Sequence, residues 1–343
     1  MARRRMIDEM QEKRLLVLSC VLTLSLSGVA QALSAIGYTH NWMGWTDSAG
    51  SLAVAADGDL LVGKGAGNSQ VGILYKWDPM ATSADLPVSA NKVQLPDLVG
   101  DPAEPGLAYV HFGIDRRSFD DKIAVVVNFA GSGQEIHLLD PTCTTLVQRT
   151  ETPENWTDVA FAPDGTLWRS TSNGLRQYNV DTGVQLQDIN LTSLGIDAHL
   201  AKGIAIDSSG RMYMGGPGKI WRWDLADIAG TKEFFAGTGY GTGDDQFSSD
   251  RGYTIDIAPD GRIVIGDSTN KRVKIYDPDG TLLEIIGADV LGKIEDVAVD
   301  DLGNIYVSTN GDGTYDFGVH KFTSCRDADG DSVTISNDSS ACS

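Results

Sequence analysis

Residues 252–287 read GYTIDIAPDGRIVIGDSTNKRVKIYDPDGTLLEIIG. An apolar run, a Pro-Asp-Gly turn and a second apolar run lead into a polar Asp-Ser-Thr-Asn loop. A third run ending in Tyr-Asp, a second Pro-Asp-Gly turn and a fourth run follow. Each run is too short for a helix and rich in Ile and Val, which favour pleated, half-buried strands. Glycine at the end of each turn supplies the positive φ that a tight hairpin needs. The segment therefore predicts four short antiparallel strands in one small sheet. Such a sheet is apolar on both faces, so it needs copies of itself to pack against.

The copies are present. The first turn of the unit returns as AADG (55–58), APDG (162–165), DSSG (207–210), APDG (258–261) and DDLG (300–303). The turn glycines lie 107, 45, 51 and 42 residues apart. The long first gap holds a hidden unit, YVHFGIDRRSFDDKIAVVVN, with its turn at Arg116–Asp121. Third strands align as ILYKWDP, EIHLLDP, LRQYNVD, IWRWDLA, VKIYDPD and VHKFTSC. Six units of this period predict an all-β, six-bladed β-propeller with four-stranded antiparallel blades. The last unit stops after its third strand. AIGYTHNWM (35–43) has strand composition and would supply the missing outer strand, so that both chain ends share one sheet.

Lys plus Arg total 27 against 47 Asp plus Glu, a net charge of −20. A surface of that sign repels phosphate backbones, which excludes nucleic acid as a partner. Lys13 and Arg14 precede LLVLSCVLTLSLSGVA, and Ala30-Gln31-Ala32 offers small residues for cleavage. This pattern predicts a secretory signal over residues 1–32 and a secreted, periplasmic or cell-surface protein. The apolar stretch is short for a membrane span, and no later segment is long enough, so no integral membrane segment is expected after cleavage. The propeller then covers 33–324, and an acidic tail covers 325–343. Of the cysteines left after cleavage, Cys325 and Cys342 bracket the tail and are the expected pair, leaving Cys143 odd.

The stretch GTGYGTGDDQFSSDRGYTIDIAPDGRIVIGDSTNKRVKIYDPDG (237–280) resembles the NHL-repeat family. It carries that family's Gly-rich loop, a Gly-Asp-x-Gln-Phe element and an Asp-Ser-x-Asn-x-Arg-Val loop. The resemblance is close in this unit, weaker in 201–237 and 293–324, and faint in the first three. It implies a six-bladed propeller, a fold that hosts both enzymes and binding modules. Trp77-Asp78 and Trp223-Asp224 lack the preceding Gly-His of WD repeats. The metal-ligand signatures of gluconolactonase-like hydrolases and the three histidines of peptide-amidating lyases are absent too. The Gly-rich run Gly237–Gly243 lacks a following Gly-Lys-Ser/Thr and reads as the link between the fourth and fifth blades, not a phosphate cradle.

In a propeller the first strand of each blade lines a central channel. Registering the units on their turns puts Ser51, His111, Asp158, Gly203, Thr254 and Asp296 in a ring at one mouth. Lys202, Tyr253 and Glu295 lie one residue earlier. His111, Asp158, Asp296 and Glu295 are candidate ligands for a divalent cation, and Lys202 and Tyr253 for orienting an anion or moving a proton. The plain alternative is a solvated channel lined by small polar side chains. In the tail, DADGDSVTISND places Asp327, Asp329, Asp331 and Asp338 at positions 1, 3, 5 and 12 of a loop. Alternating carboxylates of this kind can surround Ca²⁺. The loop resembles those of dockerin and thrombospondin type-3 repeats. Ser332 and Ile335 replace the usual glycine and oxygen ligand, so the affinity expected is weak. The plain alternative is an acidic, disordered tail. The residues as a whole point to an exported binding module for a protein, peptide or carbohydrate. A metal-dependent lyase or lactonase-type hydrolase at the channel mouth is the alternative.

Overall fold

A computed structural model of the chain describes residues 37–42, 49–64, 73–78, 92–94, 108–129, 133–152, 158–171, 174–196, 203–248, 253–310 and 318–325. The chain divides into two compact units, 1–34 and 35–343, and all described residues lie in the second. Residues 1–32, expected to be a signal segment, together with Lys202, the tail aspartates and Cys342, fall outside them. Cys325 is disulfide-bonded, and Cys143 is a buried free thiol. Among the described residues no helix is long and apolar enough to cross a membrane.

The described residues form six four-stranded antiparallel sheets. The innermost strands are β2 (Ala49–Val54), β6 (Ala108–Arg116), β10 (Val159–Phe161), β14 (Ile204–Ile206), β18 (Thr254–Ile257) and β22 (Lys293–Val299). In blades one to five the next three strands follow outward in chain order. Blade six is completed from the other end of the chain. Its order is β22, β23 (Ile305–Asn310), β24 (Gly318–Ser324) and β1 (Tyr38–Trp42). The register runs from Tyr38 opposite Ser324 to Trp42 opposite His320, as the closing strand was expected to pair.

Period-two alternation in the second strands holds the ring together, because successive side chains face opposite neighbours. In β3 (Leu60–Lys64), Leu61 packs with Ile114, Ile123 and Val125 of blade two. Leu60 and Val62 face the other way, onto Ala298 and Tyr306 of blade six. In β7 (Ile123–Phe129), Ala124 and Val126 turn instead toward Val159 and Leu167 of blade three. In β19 (Ile263–Asp267), Ile263 and Ile265 join a cluster with blade four, and Val264 joins one with blade six. Each of the six apolar clusters spans two consecutive blades.

The unit at 237–280 shows why its polar loop has that sequence. The Asp267 carboxylate accepts from Ser248 N (2.8 Å), Asn270 Nδ2 (2.9 Å) and Arg272 Nε (3.0 Å). Asn270 also donates to Gly241 O, and Arg272 to Gly243 O. Lys274 is fully buried, donates to Asp244 O and Gln246 O, and lies 4.1 Å from the Phe247 ring centroid. The Gly-rich link between blades four and five is thus pinned through its carbonyl groups by the Asp-Ser-Thr-Asn-Lys-Arg loop.

Candidate functional site

The hairpins fix the register of the channel. The first turns close through the N–H groups of Ala55, Arg117, Ala162, Asp207, Ala258 and Asp300. Four residues upstream of these lie Ser51, Gly113, Asp158, Gly203, Thr254 and Asp296. Five of the six match the ring expected from sequence. In blade two Gly113 stands where His111 was expected. The turn there closes from Arg117 to Lys122, one residue longer than its counterparts and one further along the chain than the sequence suggested. His111 lies within β6, and its side chain is outside the described residues. A Cβ on Gly113 would come within 2.9 Å of Val159 N, and one on Gly203 within 1.9 Å of Tyr253 O. Glycine is needed at these two points because the next blade's backbone passes so close.

Side chains at this level point toward the next blade, and the aspartates use that direction. Asp158 Oδ1 accepts from Val159 N (2.9 Å), and its Oδ2 reaches Ile204 N of blade four (3.0 Å). Asp296 likewise holds Val297 N (2.9 Å) and Leu52 N of blade one (2.7 Å). Two more aspartates, outside the ring expected from sequence, repeat the arrangement one tier nearer the turns. Asp115 holds Arg116 N (2.7 Å) and Phe161 N (2.6 Å). Asp256 holds Ile257 N (2.7 Å) and Val299 N (2.6 Å). Each carboxylate therefore clasps its own strand to the free edge of its neighbour. The four occur in blades two, three, five and six, a pattern that repeats every three blades. The sequence signal was a lone Asp inside an apolar first strand, as in Gly-Ile-Asp-Arg and Thr-Ile-Asp-Ile.

Enclosure costs these carboxylates their hydration, so their acidity falls. Burial pushes Asp115 up to about 6 and Asp256 up to about 7, against the clasping N–H groups that pull the other way. Asp296 is pushed up to about 8, chiefly by burial and further by Asp256 and Glu295. Asp158 also moves upward, by burial first and then by Asp296.

All four carboxylates line a channel cavity of about 480 Å³. Its walls carry Ala53, Ala160 and Ala205 between Ile114, Ile204, Ile255 and Val297. Turn residues Ser118, Ser208, Pro259 and Asp301 complete the lining, so the cavity reaches the turn face, with Asp158 and Asp296 as its deepest carboxylates. Arg116 also lines it, bonded to Asp121 at 2.9 Å and 3.9 Å from Asp301. Next in sequence to the lining residues stand Phe119 and Leu302, 63% and 67% exposed.

The other expected site residues are dispersed. Tyr253 is buried, its hydroxyl donating to Ser248 O (2.7 Å) and accepting from Gly218 N (3.1 Å). Burial raises its phenol beyond the usual range. Glu295 accepts from Asn310 Nδ2 at 3.2 Å. Among the described residues no three His, Cys, Asp or Glu side chains meet as a metal-holding group.

No protein-family model matches this sequence, and no curated protein matches it. Solved structures do. The PQQ-bound aldose sugar dehydrogenase of Streptomyces coelicolor aligns over 85% of this chain and 99% of its own, at 16% identity and TM-score 0.54. A streptogramin B lyase aligns over 85% and 100%, at 11% identity and TM-score 0.53. The WD40 propeller domain of Doa1 aligns over 80% and 78%, at 15% identity and TM-score 0.51. Likeness at this identity reaches the fold and stops there: the chain is an all-β, six-bladed propeller of four-stranded blades.

Proposed function

We propose that this propeller is an exported, NHL-like binding module whose working surface is the turn-side end of its channel. One observation carries the reading: a cavity of about 480 Å³ reaches the turn face between Arg116 and Asp301, beside the exposed side chains of Phe119 and Leu302. Concave sites with a few convergent polar groups are where ligands bind, and exposed aromatic side chains serve as anchors. Asp158 and Asp296, the best candidates for metal ligands, hold backbone N–H groups of two blades each, which favours a structural role for them. WD40-type propellers share the fold, and protein, peptide or carbohydrate ligands suit such a face.

An array of glycans and peptides tests this with wild-type protein and the variant Phe119→Ser, Leu302→Ser, Arg116→Gln. Wild type should retain a defined subset, and the variant should lose it at least tenfold. An unchanged profile in the variant, or no retention by wild type, would sink the reading. A second reading, a lyase or hydrolase in the same channel, draws on Asp115 and Asp256. Carboxyls that titrate near 6 and 7 beside a cavity have the protonation a general acid needs. A mass change in the retained compound, rather than retention alone, would select it.

The tail adds a calcium site to this proposal. Asp327, Asp329, Asp331 and Asp338 fall within twelve residues, and their mutual repulsion is relieved by a shared cation. Calorimetric titration with millimolar calcium should give heat in wild type and little in Asp327→Ala, Asp331→Ala. Equal heats in the two proteins would remove calcium from the account.

A further inference from the structure

Each innermost strand turns two N–H groups away from its ladder partner, at one and three residues before the hairpin-closing position. This follows from the ladder register, in which paired and unpaired N–H groups alternate. The aspartate clasps occupy those of Leu52, Val159, Ile204 and Val297 in the deeper tier. They also occupy those of Arg116, Phe161, Ile257 and Val299 in the tier nearer the turns. The N–H groups of Ile114 and Ile255 remain in the deeper tier, and those of Val54 and Ile206 in the nearer one.

These four have no clasp because no carboxylate stands where one would be needed. The positions that would serve Ile114 are Gly113 and Ser51, and those for Ile255 are Thr254 and Gly203. For Val54 they are Ala53 and Ala298, and for Ile206 they are Ala205 and Ala160. The hydroxyls of Ser51 and Thr254 themselves make no hydrogen bond. Blades three apart face each other in a ring of six, so the open donors form two opposed pairs. Val54, Ile114, Ile206 and Ile255 all line the cavity.

An unmet backbone donor in such a place costs about 1–3 kcal/mol. The occupant must therefore bring acceptors. An ammonium group has none to give. A carboxylate or phosphate would lose its hydration there, as the four aspartates do, and Arg116, the one cation in the described lining, is already bonded to Asp121. A hydroxyl accepts from an open N–H and donates to the adjacent carboxylate in one contact. The Ile and Val walls between the polar tiers match the C–H faces of a ring, and the volume lies within the roughly 300–1,000 Å³ of small-molecule sites.

We propose that the channel cavity binds a neutral polyhydroxyl compound of monosaccharide size, held by the open N–H groups of Val54, Ile114, Ile206 and Ile255 and by the clasp carboxylates. This rests on reading the channel as a binding site and names its ligand class. The test is calorimetric titration with D-glucose, N-acetyl-D-glucosamine and myo-inositol, set against putrescine and succinate. Two single variants, Ala205→Leu and Ala53→Leu, fill the cavity from wall positions that carry no clasp. At least one of the three polyols should give a saturable heat that weakens tenfold or more in a variant with an unaltered circular dichroism spectrum. Should both variants fail to fold, amide exchange on wild type decides: the binding polyol should slow exchange at Ile114 and Ile206. No saturable heat from any polyol overturns the proposal, as does a heat that neither filling nor amide exchange places in the channel. Saturation by putrescine alone would also overturn it while leaving the channel a binding site. A silent titration beside a positive array with the turn-face variant removes the polyol and keeps the module.

Discussion

Deleting residues 33–44 will cost the protein its cooperative fold. Strand β1 is the only outer strand of its blade, and it pairs with β24 along its whole length, from Tyr38 opposite Ser324 to Trp42 opposite His320. Gly37 O accepts from Cys325 N (3.2 Å), and Gly37 N donates to Glu284 of blade five (3.3 Å). Tyr38 packs on the cluster between blades five and six. Removing β1 strips an unpaired edge along β24, where Val319 and Phe322 belong to the core, and such an edge recruits other chains. Size-exclusion chromatography should show aggregates, and the urea transition should broaden or vanish. A monomeric deletion variant with an unshifted midpoint would mean that the ring does not depend on its closing strand. Removal of residues 326–343 with Cys325→Ser serves as the control, since Cys325 is disulfide-bonded, and should leave the transition in place.

The closing strand was legible because its partner was missing. A repeat that ends after three strands leaves a vacancy of known shape, and only one segment before the first turn had strand composition. The blade count was legible for a similar reason: glycine at each turn meets a backbone requirement, visible as φ of 80° to 88° at Gly58, Gly165, Gly210, Gly261 and Gly303. Blade two broke that rule. Asp121 takes the positive φ, at 58°, in a turn one residue longer than the others, so no glycine marks it, and the ring position upstream is Gly113, two residues beyond His111. The channel was harder to read. Position along a strand can be counted from sequence, but the direction of a side chain at the strand end cannot. Asp158 and Asp296 were found at the right level and given the wrong neighbours, since they reach sideways to the next blade's N–H groups. Asp115 and Asp256 are hard to read because an aspartate inside an apolar run looks like an interruption of the strand. Here it is what holds two strands together. Tyr253 stands beside the ring in sequence, yet strand alternation sends it the other way, into the core between blades four and five.

The protein should be most stable in mild acid and lose stability toward alkaline pH. A carboxyl whose folded pKa exceeds its unfolded value favours folding when protonated, so its contribution is complete below the unfolded pKa and disappears as pH passes the folded one. Asp115, Asp256 and Asp296 move from 3.8 to about 6, 7 and 8, and Asp158 moves the same way, each mainly through burial. The loss therefore spans about pH 4 to 8. A tenfold change in acidity is worth about 1.4 kcal/mol, and allowing for hydration within the cavity the combined loss is roughly 5 kcal/mol. Acid-side losses begin lower. Asp181 is held down to about 2, chiefly by Arg117, so it contributes above 3.8 and fades only below that, and weakly, because it is half exposed. Thermal unfolding should thus peak near pH 4–5 and fall by on the order of 10 °C by pH 8. Replacing Asp256 and Asp296 by Asn removes two titrating groups and should flatten the fall by about half. A melting temperature level from pH 5 to 8, or one that rises, would show that the clasp carboxylates stay ionised in the folded channel. The same fall in the double variant would place the titration elsewhere in the protein.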